Sequence, residues 1–156
     1  MEKEKIVALV LAAGTGKRMQ SSTAKQYMLL GGKPLVCYAL EAFERSPVDE
    51  VILVTGEKEI DYCKNDIVKK YGYQKVTRVV AGGKERYHSV YQGLKAIGQA
   101  DYVLIHDGAR PFVTEDIICR SIDTVKKEKA CVVGMPVKDT IKLINKDRQI
   151  TESPDR

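Results

Sequence analysis

The sequence of 156 residues is 44% hydrophobic and 30% charged, with 6% aromatic residues, no tryptophan and a formal net charge of +5. This length and composition are typical of one globular domain with a sizeable core. No apolar run approaches the ~20 residues of a membrane span. With no basic stripe, the modest positive charge favours an anionic small molecule as partner over nucleic acid.

The first predicted element is a strand over residues 6–11, which is short and continuously apolar, as in a parallel sheet covered on both faces. It opens into a glycine-rich turn, Ala12-Ala13-Gly14-Thr15-Gly16, and three cations follow: Lys17, Arg18 and Lys25. Glycines let the backbone approach a ligand closely, and successive N–H groups form an anion cradle. The segment therefore predicts a phosphate site. Its spacing is not that of a P-loop, and Met19 occupies the third glycine position of a dinucleotide fingerprint.

Strands and helices then alternate along the chain. Further strands are predicted at residues 27–30, 51–55, 75–81, 102–106 and 130–135. Helices are predicted at residues 34–46, 57–71, 84–97 and 115–127, with Gly72 and Thr114 as helix caps. This alternation predicts an α/β fold, Rossmann-like and doubly wound around a mostly parallel sheet.

Residues 137–156 have a different pattern. Apolar alternation over residues 140–144 and 149–153 flanks a polar turn at 145–148, which predicts a β-hairpin. A lone hairpin is marginally stable in water, so this protruding arm is expected to pack on another surface. The predicted division is an α/β domain over residues 1–136 and a β-arm over residues 137–156.

The cysteines and the N-terminus indicate the compartment. The four cysteines, Cys37, Cys63, Cys119 and Cys131, include no Cys-x-x-Cys pair, so they are predicted to be reduced thiols and not a zinc site. The first five residues lead directly into the first strand, without the apolar core of a secretory leader. Both features predict a cytoplasmic protein.

Four motifs occur in order along the chain, at residues 11–18 with 25–27, 82–86 with 88–90, 106–112, and 136–140. Together they resemble the sugar-phosphate nucleotidyltransferases, most closely the 2-C-methyl-D-erythritol 4-phosphate cytidylyltransferases of non-mevalonate isoprenoid synthesis. The resemblance covers essentially the whole chain. Family members continue beyond this point, so the chain is expected to lack the C-terminal part of the family domain.

The resemblance implies transfer of CMP from CTP to the polyol phosphate, with release of pyrophosphate and with Mg²⁺ as the divalent cation. It implies that Arg18 and Lys25 stabilise the charge of the transition state. Asp107 is implied as the metal ligand beside the nucleotide. Arg110 also matches a family motif, whereas His106 is expected to be a packed strand residue.

The same resemblance implies the remaining binding sites. CTP is expected at Ala12, Ala13, Gly14, Gly83, Ser89 and Asp107. Many family members carry Asp where this chain has Lys84, so contacts of that side chain are not carried over. Thr140 and Arg156 are implied to hold the polyol phosphate across the interface of a homodimer. Residues 1–136 are implied to form the nucleotide-binding domain of each subunit.

Other functions remain open at this stage. A ribitol-5-phosphate cytidylyltransferase shares the glycine-rich loop, although Ala13, Gly108 and Ala109 fit that family less well. A nucleotide-binding fragment without turnover is a second alternative, and a hydride-transferring Rossmann enzyme is a third, which the missing third glycine disfavours. The compartment would be the plastid stroma if the source were a plant.

Overall fold

The structure is a computed structural model that describes residues 3–14 and 23–154. The described strands are β1 (Ile6–Ala12), β2 (Leu29–Leu30), β3 (Lys33–Pro34), β4 (Glu50–Thr55), β5 (Val76–Ala81), β6 (Tyr102–Asp107), β7 (Leu143–Ile144) and β8 (Ile150–Glu152). The described α-helices are α1 (Leu35–Arg45), α2 (Ile60–Tyr62), α3 (Arg86–Ala96) and α4 (Glu115–Glu128).

The centre of the fold is a parallel sheet with the strand order β5-β4-β1-β6. β1 pairs in parallel with β4 on one side and β6 on the other, and β5 pairs with β4. This order, with helices between successive strands, confirms the predicted Rossmann-like α/β class. None of the described helices is long and apolar enough to cross a membrane.

Both faces of β1 are covered, as its unbroken apolar sequence predicts. Alternate side chains, including Ala8 and Val10, pack in one cluster with Val36 and Leu40 of α1 and Ile118 of α4. The side chains between them point to the other face. There Val7, Leu9 and Leu11 pack in a second cluster, against which Val90 of α3 is placed. The sheet is therefore doubly wound.

The predicted helix over residues 57–71 is irregular. It begins as a 3₁₀ turn, Glu57–Glu59, passes through α2 and continues as a π-helix, Cys63–Lys69. Cys63 and Ile67 of the π-helix are fully buried. Gly72 follows with a φ of +72°, and its N–H donates to the Val68 carbonyl at 3.0 Å, which confirms the predicted glycine cap.

The strand predicted over residues 130–135 is wrong. These residues form no ladder, and Val132 is 93% exposed, so the segment runs over the surface beyond α4. An apolar, β-branched run marks a segment that fits a sheet, but pairing also needs a neighbouring strand in register. Within the described residues, β6 has only β1 as a ladder partner.

The predicted hairpin is present in residues 143–152. β7 and β8 pair antiparallel, and the Asn145 side-chain oxygen accepts from the N–H groups of Asp147 and Gln149, both at 2.9 Å. This Asx-type turn explains why a polar tetrapeptide closes the hairpin. Its apolar side chains are open to solvent, with Ile150 62% exposed.

Candidate active site

The predicted CTP-binding residues, all of which the structure describes, lie at the carboxyl edge of the sheet. The chain leaves β1 toward β4 and β5, then crosses back to place β6 on the opposite side of β1. Ligands of open α/β sheets bind outside the carboxyl ends of the strands at such a reversal. At this edge, β1 ends at Ala12 and continues into Ala13 and Gly14, β5 continues into Gly82 and Gly83, and β6 ends at Asp107.

The exit from β1 is fixed by Gln26. Its side-chain amide nitrogen donates to the carbonyl oxygens of Ala12 at 2.6 Å and Gly14 at 2.9 Å. Gln26 is 5% exposed, so these bonds are shielded from water. Lys25, the residue before it, is exposed at the start of a 3₁₀ turn, Lys25–Tyr27. The backbone that carries Lys25 is thereby anchored to the beginning of the glycine-rich loop.

Tyr27 ties the same turn to the core. Its hydroxyl bonds the Thr55 hydroxyl at the end of β4 and lies 3.2 Å from the Cys63 sulfur. It also donates to the Ala12 carbonyl at 3.4 Å. Burial raises the pKa of the Tyr27 phenol far above its ordinary value, so the group stays protonated and serves as a structural hydrogen-bond partner.

We expect Tyr27→Phe to reduce the free energy of unfolding by about 1–2 kcal/mol, because it removes a buried hydroxyl with several partners. Chemical denaturation followed by circular dichroism measures the change. Tyr91→Phe is the matched control, since Tyr91 is 58% exposed. Equal stability of the two variants would contradict the anchoring role of Tyr27.

A tight turn after β5 forms the second wall of the site. The Gly83 N–H donates to the Ser89 hydroxyl oxygen at 3.1 Å, and Ser89 is 4% exposed. A Cβ atom on Gly82 would lie 2.5 Å from the Ala13 Cβ and 2.6 Å from the Ser89 hydroxyl oxygen. Only glycine therefore allows this segment, the base turn (residues 82–89), to pack directly against the exit of β1.

Asp107, the last residue of β6, carries the carboxylate of the site. Two nitrogens of Arg86, Nε and Nη2, lie 3.0 Å from its Oδ1, and Arg110 Nε lies 3.1 Å from its Oδ2. The carboxylate side chain is 30% exposed, whereas both guanidinium groups are mostly exposed. Its two oxygens thus face two cations at the open edge of the sheet.

His106 points away from this cluster. Its ring packs against Phe43 of α1, with ring centres 5.6 Å apart, and its Nε2 lies 3.1 Å from the Arg110 carbonyl. Burial holds the pKa of His106 below its ordinary value. These contacts agree with the predicted packing role, and they also support the turn that carries Arg110.

The structure therefore brings together all six residues predicted to bind CTP: Ala12, Ala13, Gly14, Gly83, Ser89 and Asp107. Arg18 and Arg156 lie outside the described residues. Thr140 is exposed in the segment before β7. Gln26 and Arg86 were not singled out from the sequence, although both occur in the motifs at 25–27 and 82–86.

A sequence model of the family "IspD: 2-C-methyl-D-erythritol 4-phosphate cytidylyltransferase" matches residues 6–156. Curated proteins of that name from Lachnoclostridium phytofermentans and Alkaliphilus metalliredigens are 54% and 47% identical over 98% and 97% of this chain. The chain spans 66% and 64% of their lengths, just under two thirds.

Solved structures give the same relationship. The 4-diphosphocytidyl-2C-methyl-D-erythritol synthase of Anaerococcus prevotii superposes with a TM-score of 0.84 at 34% identity, covering 97% of this chain and 64% of that one. The 2-C-methyl-D-erythritol 4-phosphate cytidylyltransferase of Francisella tularensis superposes with a TM-score of 0.71 at 25% identity, covering 97% and 66%.

Proposed function

The chain belongs to the 2-C-methyl-D-erythritol 4-phosphate cytidylyltransferase family, and from that membership we propose the activity of the protein. It transfers CMP from CTP to 2-C-methyl-D-erythritol 4-phosphate and releases pyrophosphate, as a step of isoprenoid precursor synthesis. The observation that carries this proposal is the convergence at one sheet edge of the β1 exit, the base turn and Asp107.

The reaction is an attack by a phosphate oxygen of the polyol phosphate on the α-phosphorus of CTP. Such a transfer depends on in-line positioning and on neutralising the charge that develops on the phosphoryl oxygens. Lys25 suits this role because its cation is exposed while the backbone beneath it is anchored through Gln26. Arg18 is proposed for the same role from its place in the motif, since a guanidinium can bridge two phosphate oxygens.

Recognition of cytosine is assigned to the β1 exit and the base turn. We place Ala12, Ala13 and Gly14 on one side of the base and the backbone of Gly83 on the other, because Gly82 packs directly against Ala13. Backbone N–H and C=O groups can bond the polar edge of a pyrimidine. Ser89 is nearly inaccessible and accepts from Gly83, so its hydroxyl fixes the orientation of those backbone groups.

Mg²⁺ is proposed as the cofactor, with Asp107 as the protein ligand. Mg²⁺ is usually held by one or two carboxylates together with substrate phosphates. The Asp107 side chain is 30% exposed at the open edge of the sheet, so a cation held by the triphosphate could reach its carboxylate. When bound, the ion supplies charge neutralisation at the triphosphate.

The arm is proposed to make a homodimer whose sites are shared between subunits. Residues 141–150 expose several apolar side chains on a two-stranded ribbon, namely Ile141, Leu143, Ile144 and Ile150. A twofold copy of the same ribbon would cover them symmetrically. Thr140 and Arg156 are then proposed to contact the polyol phosphate of the partner subunit's site.

We expect subunit exchange between two inactive variants, Arg18→Ala and Arg156→Ala, to restore part of the activity. Some mixed dimers would contain one site with both arginines, because the two residues come from different subunits. Turnover is measured before and after mixing, and light scattering with tagged subunits verifies the mixed dimer. Mixed dimers that stay inactive would contradict the shared site.

The compartment proposed is the cytoplasm. All four cysteines are free thiols, and Cys37 and Cys63 are buried in the core. Free thiols are the usual state in the reducing cytosol. Burial raises the pKa of Cys37 to about 11, which keeps that thiol protonated and unreactive.

Ribitol 5-phosphate is the competing acceptor. The test incubates the protein with CTP, Mg²⁺ and either polyol phosphate, and follows pyrophosphate release. Faster release with 2-C-methyl-D-erythritol 4-phosphate is expected. Preference for ribitol 5-phosphate would overturn the assigned acceptor, and tight CTP binding without release in either case would indicate a binding fragment without turnover.

A further inference from the structure

Arg86 occupies a special place in the topology. It is the first residue of α3, at the end of a connection that leaves β5 at one edge of the sheet. Its partner Asp107 ends β6 at the opposite edge. The ion pair therefore joins the base turn, which follows β5 at one edge of the sheet, to β6 at the other edge, with β4 and β1 lying between them.

The contacts on either side of Arg86 make it a link between two parts of the site. Three residues before it, Gly83 is held by Ser89, and Gly82 packs against Ala13. On its other side, Arg86 places Nε and Nη2 at 3.0 Å from the same carboxylate oxygen, Oδ1. The Nε–H donates a hydrogen bond to that oxygen, and such a charge-assisted bond is stronger than a neutral one, so it favours one orientation of the carboxylate.

Stability alone gives little reason for this pair. The Arg86 side chain is 62% exposed, and ion pairs between solvent-exposed side chains contribute little to folding. Arg110 already offers Asp107 a cation, at 3.1 Å from Oδ2. A second arginine on the same carboxylate neutralises no further charge, whereas it fixes the direction in which the remaining lone pairs of the carboxylate point.

Building on the proposed function, we propose that Arg86 is a positioning residue that fixes the carboxylate of Asp107 relative to the base turn. The bound base and the carboxylate beside the phosphates are thereby held at a set separation. Arg86 acts through Asp107 and not by contact with the nucleotide. Preorganisation of this kind raises affinity by removing the cost of ordering the group when the ligand binds.

The test is a double-mutant cycle on CTP affinity, measured by calorimetry with Mg²⁺ so that turnover is not required. We expect Arg86→Ala to weaken CTP binding about 5- to 10-fold, which lies within the range of coupling between contacting residues. In an Asp107→Asn background, Arg86→Ala is expected to change the dissociation constant less than about twofold. Arg86→Lys should recover only part of the affinity, because a flexible ammonium keeps the charge but lacks the fixed donor geometry of the planar guanidinium.

Arg120→Ala is the matched control, since Arg120 makes an exposed ion pair with Asp116 on α4, at 2.8 Å. It is expected to leave CTP affinity unchanged, and thermal unfolding verifies that every variant is folded. An equal loss of affinity in both backgrounds would overturn the inference, because Arg86 would then act on the nucleotide directly. So would unchanged affinity for Arg86→Ala. Either result leaves the proposed transfer reaction standing, which pyrophosphate release from the unmodified protein tests separately.

Discussion

Replacing Lys25 with alanine is expected to lower kcat about 100-fold or more, the scale for removing one preorganised charge from a transition state. The same loss is expected for Arg18→Ala. Lys25 is exposed, while Gln26 and Tyr27 beside it are buried and hydrogen-bonded to the exit of β1 and the end of β4. Truncation of Lys25 should therefore remove its cation without disturbing the anchored backbone of residues 25–27.

The measurement is kcat at saturating CTP and polyol phosphate. Lys64→Ala, which removes an exposed lysine from the π-helix, is the matched control and should leave kcat unchanged. Near-normal turnover of Lys25→Ala would remove that lysine from the catalytic machinery. A rise in KM with an unchanged kcat would assign it to binding that the substrate and the transition state share equally.

Gly82→Ala is expected to have the second large effect, on stability and activity together. The added Cβ would lie 2.5 Å from the Ala13 Cβ and 2.6 Å from the Ser89 hydroxyl oxygen, so the backbone must move. Overpacking of this kind costs about 1–3 kcal/mol in the free energy of unfolding. Displacement of the base turn should also lower kcat/KM for CTP by about 10-fold or more.

Gly98→Ala is the control for Gly82→Ala, because a Cβ at Gly98 has no atom within 4 Å. Its free energy of unfolding should change by less than about 0.5 kcal/mol, as for an uncrowded surface position. Denaturation curves and CTP kinetics on both variants compare the two sites. If Gly82→Ala behaved like Gly98→Ala, the close contact between the base turn and the β1 exit would be wrong.

The strands that were predicted well are those with the strongest physical signal. β1 is buried on both faces, and its sequence is accordingly apolar without a break. Glycine turns and a threonine N-cap predicted where neighbouring elements begin and end. The structure confirms the cap, because the Thr114 side chain accepts the Ile117 N–H at 3.3 Å at the start of α4. The placement of Asp107 followed from the rule that parallel strands present their carboxyl ends at one edge.

Other features depend on tertiary partners that no local pattern encodes. The run at 130–135 has the composition of a strand, yet it lies exposed without a ladder. The π-helix is invisible to periodicity, since Cys63 and Ile67 have the spacing of any buried helical face. The partnership of Arg86 with Asp107 spans the sheet and appears only once the strand order is known.

The central claim, transfer of CMP to 2-C-methyl-D-erythritol 4-phosphate, is tested most directly by following the α-phosphorus of CTP. The protein is incubated with Mg²⁺, the polyol phosphate and CTP labelled at that phosphorus, and the products are separated. The account predicts that the label moves into a cytidyl diphosphate ester of the polyol, with one unlabelled pyrophosphate released for each transfer. Label that remained in CTP, or that appeared only as free CMP, would contradict it.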